Sequence, residues 1–131
     1  MTKKSLPVFV LVVLLAVVGL TASSCDDQTD WEKRTKQALW ANQKSWHDIQ
    51  DVVAKLYHDG DITDAEWQQF RDLDQKYRAT HNSAVMAYDE YERLKDKQKM
   101  EIVTQLIADC MSIINQVNEL IQAWKPKTGG A

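Results

Sequence analysis

Residues 59–66, Asp59-Gly60-Asp61-Ile62-Thr63-Asp64-Ala65-Glu66, decide how this chain folds. Gly60 is the only glycine or proline between Asp26 and Lys125, and breakers that scarce leave the flanking segments free to run as long helices. A glycine just past a helix takes the left-handed conformation that closes it. Thr63 and Glu66 then have the spacing of a capping box, whose hydroxyl and carboxylate satisfy backbone N–H groups at the start of the next helix. A stop followed this closely by a start joins two helices that must lie antiparallel.

Working outward, the apolar residues recur three and four apart, the period of helices with one buried face. Helix one is expected over 30–58, opened by a capping box of Thr29 and Glu32. Its stripe is Trp31, Leu39, Trp46, Ile49, Val53 and Leu56, with Thr35 and Asn42 as polar interruptions. Helix two, 64–94, buries Phe70, Leu73, Tyr77, Thr80, Ala84, Ala87, Tyr91 and Leu94. Helix three, 97–124, has the cleanest stripe: Met100, Val103, Ile107, Cys110, Ile114, Val117, Ile121 and Trp124, widened by Leu106, Ile113 and Leu120. Pro126 ends it.

No breaker separates the second and third helices, so one continuous rod is the alternative. Continuing the stripe past Leu94 calls for apolar residues at Gln98 and Glu101, but they stand at Met100 and Val103. A turn within 95–99 accounts for the shift. Three helices of ~42–46 Å predict an all-α, up-down-up three-helix bundle over 30–125 with a flexible tail over 126–131.

The N-terminal segment is of another kind. Lys3 and Lys4 precede an apolar run over 6–20, and Thr21, Ala22, Ser23 and Ser24 follow it, directly before Cys25. A basic start, a short apolar stretch and small residues make an export signal, and the run falls short of the ~20 residues that cross a bilayer. Ala22-Ser23-Ser24-Cys25 resembles the lipobox of bacterial lipoprotein precursors, with Ala22 in place of the usual Leu and Ser24 in place of Gly or Ala. The resemblance covers about the first fifth of the chain. It implies a signal peptide over 1–24, lipidation of Cys25 by diacylglycerol with fatty acyl chains such as palmitate, and a short tether over 25–29. Asp26 directly after the lipidated cysteine implies retention in the inner membrane where the host follows the enterobacterial-type rule. Simple secretion after cleavage at the same small residues is the alternative.

From Cys25 onward the chain carries 14 Lys and Arg against 19 Asp and Glu, a net charge of −5. A domain that acidic offers no electrostatic footprint for nucleic acid. Cys25 and Cys110 are the only cysteines, too few for a disulfide framework and too far apart for a redox or zinc motif. Cys110 lies mid-stripe and reads as a small buried thiol.

Few constellations carry chemistry. Asp59, Gly60, Ile62 and Glu66 match positions 5, 6, 8 and 12 of a calcium-binding EF-hand loop. Lys55 and Tyr57 fall where its first carboxylates belong, so the helix stop and start is the better account. His47, His58 and His81 form no paired metal motif. No catalytic residue, metal ligand or cofactor is assigned. Trp31 with Lys33, Arg34 and Lys36 lies within two turns of the lipid site, a composition suited to a membrane surface. Trp40, near His47, points away from the stripe, and a tryptophan on a polar face is a candidate partner contact.

These readings predict a lipid-anchored cell-envelope protein, not an enzyme, that binds a protein partner or itself. The alternative is a periplasmic bundle holding haem or a metal through types such as His81, Met86, Met100 and Met111. An enzyme would need carboxylates such as Glu66 and Asp89 to converge.

Overall fold

A computed structural model of the protein describes residues 28–124. The segment expected to be a signal peptide, Cys25 and the residues after Trp124 lie outside them. Three helices, α1 (Gln28–His58), α2 (Asp64–Leu94) and α3 (Lys97–Trp124), run up, down and up as a three-helix bundle. Aromatic pairs at both ends set α1 against α2. Trp31, early in α1, meets Tyr91, late in α2, edge to face at 4.9 Å, and Tyr57 at the end of α1 stacks on Trp67 at the start of α2 at 4.7 Å.

The first turn has the chemistry read from residues 59–66. Gly60 adopts φ 79°, a conformation that costs side-chain-bearing residues ~1–2 kcal/mol. The Glu66 N–H donates to Thr63 Oγ1 at 3.1 Å, and the Thr63 N–H donates to Glu66 Oε1 at 2.9 Å. Both arms of the capping box are therefore made.

At the second turn α2 and α3 are separate helices, and the continuous rod does not form. Lys95 takes the left-handed conformation at φ 51°, its N–H donating to the Tyr91 carbonyl at 2.6 Å. Asp96 then accepts from the Gln98 N–H at 3.0 Å. A lysine pays a steric cost in that conformation. Its side chain offsets it, with Nζ 2.7 Å from Glu32 Oε2 and 5.3 Å from the centre of the Tyr91 ring.

α3 supplies the spine. Val103, Ile107, Cys110, Ile114, Val117, Ile121 and Trp124 are all buried, and their alternating steps of four and three keep one seam inward, as in coiled coils. Around it are two clusters. One gathers Trp46, Ile49, Val53, Phe70 and Tyr77 toward the first turn, and the other gathers Trp31, Leu39, Ala84, Tyr88 and Tyr91 at the opposite end.

Three local expectations need correction. α1 begins at Gln28, so Thr29 is already inside the helix. The Glu32 carboxylate, instead of closing a box with it, is held across the bundle by Tyr91 and Lys95. In α2, Leu94 is 60% exposed because the chain turns away immediately after it, whereas Tyr88 is buried. Thr80 is only partly buried and its hydroxyl donates to the Lys76 carbonyl of its own helix at 2.8 Å. Thr35 and Asn42 are fully buried, as their places in the α1 stripe imply.

Because Ile114 is buried at the middle of the spine, Ile114→Ala should lower the unfolding free energy by ~2–5 kcal/mol. Urea denaturation followed by circular dichroism should show an earlier midpoint with native helicity retained before the transition.

Candidate functional site

The structure separates the two surfaces expected on α1. Trp31 is buried, 3% exposed, with its Nε1–H 3.4 Å from Thr104 Oγ1 and its ring against Tyr88 and Tyr91. It is removed from any membrane surface because an indole that docks between two helices keeps no face for lipid. Two of the basic residues near it reach outward. Lys33 and Lys36 are exposed, Lys36 Nζ standing 3.5 Å from Glu92, while Arg34 is half-buried and pairs with Asp30 at 3.1 Å.

Trp40 is 65% exposed. Trp31, Trp46 and Trp124 are buried and Trp67 is half-buried, so Trp40 alone of the five tryptophans stands free in solvent. No third helix covers it, since α3 packs on the opposite side of α1. His47 is exposed two turns further along. Beside His47, between α1 and α2, is an open groove of about 340 Å³, lined by Gln43, Trp46, His47, Gln50, Tyr77, Arg78, His81 and Asn82.

A hydrogen-bond network floors that groove. Asp74 Oδ1 accepts from Trp46 Nε1 at 2.7 Å and from Gln50 Nε2 at 2.9 Å, and Oδ2 meets Arg78 Nε at 3.1 Å. Buried indole N–H groups need an acceptor, and Asp74 provides it across the α1–α2 interface. His81 Nε2 lies 3.2 Å from the Leu39 carbonyl, a contact that only an N–H can make. No local motif marks Asp74; the indole N–H of Trp46 in the stripe is the one signal that an acceptor must stand opposite.

The groups considered for ligand or reaction chemistry do not converge. Met86 is 69% exposed, Met111 is buried in the cluster near the first turn, and Met100 packs on the other cluster. Glu66 caps the start of α2, and Asp89 lies 23 residues later on that helix, ~35 Å away. Among the described residues there is no group of three His, Cys, Asp or Glu able to hold a metal ion. His58 is at the end of α1 with 90% of its side chain exposed, 3.5 Å from Asp59.

Of the titratable groups shifted by their surroundings, Glu32 and Cys110 bear on stability and reactivity. Hydrogen bonds from Lys95 and then Tyr91 hold the Glu32 carboxyl below its ordinary 4.5. Burial, with a smaller push from Asp109, raises the Cys110 thiol to about 12. A thiol that basic is protonated at neutral pH, and the thiolate is the reactive form.

Compared with known protein families, curated proteins and solved structures, the chain matches none. Among the described residues no helix is long and apolar enough to cross a membrane.

The folded state holds Glu32 as the anion, so its contribution is complete above pH 4.5 and is lost as pH falls through the depressed value. Glu32→Gln should therefore be less stable than wild type at neutral pH, with the gap narrowing on acidification in a series of thermal melts. Cys110 should resist iodoacetamide in the native protein and label on unfolding in urea, as read by mass spectrometry.

Proposed function

We propose that this chain is a small lipid-anchored protein of the bacterial cell envelope that works by binding a protein partner or a second copy of itself, without catalysis. The tether reading rests on residues 1–25: the basic pair, the apolar run and the lipobox-like Ala22-Ser23-Ser24-Cys25. It places the bundle on the periplasmic or outer side of the membrane, at the inner membrane where the rule for Asp26 applies. Cys25 stands three residues before α1, a reach of at most ~10 Å. A bundle on so short a tether lies against the bilayer.

The observation that carries the binding role is the set of large apolar side chains left in solvent: Trp40 on α1, Met86 and Leu94 on α2 and Ile102 on α3. Large apolar and aromatic groups on an otherwise polar surface are the stuff of contact sites. The open groove beside His47 is lined by aromatic, amide, imidazole and guanidinium groups with no serine or cysteine among them, which supports binding over reaction.

Intact mass and membrane fractionation of the protein expressed in a bacterial host test the tether. A mature chain beginning at acylated Cys25, absent from the Cys25→Ser variant, is expected. An unacylated wild-type chain in the soluble fraction would overturn the anchor. For the binding role, cross-linking in the envelope should capture a discrete adduct, and a chain recovered only as monomer at every concentration would count against it.

A further inference from the structure

α1 carries the charge asymmetry of the molecule. Residues 33–47 contain Lys33, Arg34, Lys36 and Lys44 with no Asp or Glu, whereas residues 48–124 contain eight Lys and Arg against fifteen Asp and Glu. An anionic surface therefore attracts the 33–47 stretch of α1, which follows Asp30 and Glu32 near the helix start, and repels the rest of the bundle. That attraction orients the protein.

The cations are also placed together. With 3.6 residues per turn, Lys33, Lys36, Trp40, Lys44 and His47 share one strip of α1, opposite the buried Trp31, Ala38, Asn42, Ser45 and Ile49. Trp40 is 65% exposed at the centre of the strip. Lys36 and Lys44, one turn to either side, keep 61% and 60% of their side chains in solvent and reach carboxylates only at 3.5 and 3.9 Å. Asp48 and Asp51 mark where the strip's uniform charge ends.

A tryptophan flanked by lysines suits the headgroup layer of a membrane, where the indole settles among the glycerol backbones and the ammonium groups meet lipid phosphates. Protein–protein interfaces are depleted in lysine at their centres, because desolvating an ammonium is costly. The composition around Trp40 thus favours lipid over protein as its occupant.

We propose that the Lys33, Lys36, Trp40, Lys44 and His47 strip is the membrane-facing side of the bundle, seated on anionic lipid headgroups, with α2 and α3 turned away from the bilayer. The inference draws on the tether proposed above, which brings the start of α1 to the lipid surface, and the strip then lies along that surface for ~21 Å. Partner binding passes to the exposed apolar residues of α2 and α3, Met86 foremost.

Because the other tryptophans are buried or half-buried, the difference in emission between wild type and Trp40→Phe isolates Trp40. Protein purified from the envelope of a bacterial host is reconstituted into phosphatidylcholine vesicles with and without phosphatidylglycerol. In the anionic vesicles the Trp40 signal should be shielded several-fold from acrylamide and quenched by brominated lipid. The combined Lys33→Glu, Lys36→Glu and Lys44→Glu variant should lose that shielding with its circular dichroism unchanged. Equal access of acrylamide to Trp40 in both vesicles overturns the proposal. So does shielding that follows protein concentration instead of anionic lipid, which assigns the strip to a protein contact. Intact mass of the same preparation reports acylation separately: shielding in an unacylated chain keeps the strip and removes the tether, and an open Trp40 in an acylated chain does the reverse.

Discussion

The packing of α1 and α2 onto one seam of α3 is the constraint from which the rest of the molecule follows. Each fully buried aliphatic side chain in that seam contributes ~1.5–3 kcal/mol relative to its exposed state, and the seam has no break from Val103 to Trp124. Neither of the other helices has so continuous an apolar face. α1 interrupts its own with Thr35, Asn42 and Ser45, all buried. Polar residues within a coiled-coil seam are tolerated at a cost in stability and help select one register, and here they stand where α1 passes the middle of the bundle.

The ends of the bundle are locked by aromatic and polar contacts that cross between helices. Near the second turn, Trp31, Tyr88 and Tyr91 close the core, and Glu32 ties Tyr91 and Lys95 to α1. Toward the first turn, Trp46 lies over Phe70 and Tyr77 while its N–H is held by Asp74. These contacts commit one side of α1 to the core, and on the other side Trp40 stands exposed beside Lys36, which reaches Glu92 of α2.

The proposed address and attachment rest on residues 1–25 alone, and the shape of the bundle on residues 28–124. From sequence, Trp31 belongs both to the α1 stripe and to a composition suited to a membrane surface, and Trp40 to the polar face. Burial decides between them: Trp31 lies under Tyr88 and Tyr91, 57 and 60 positions away in sequence, while Trp40 stays exposed.

The sequence by itself determined the helices and their two breaks. Periodicity and capping are local, so the Gly60 turn, the Thr63 and Glu66 box, the α3 stripe and the phase shift before Met100 could all be read from neighbouring residues. The tertiary structure alone decided which side chains meet. Burial of Asn42 and Thr35, exposure of Leu94, the transfer of Glu32 from a cap to Tyr91 and Lys95, and the pairing of Trp46 with Asp74 each depend on how far one helix is rotated and slid against another. That register is set by the collective fit of the two clusters, a sum over contacts distant in the chain that no single stretch of residues encodes.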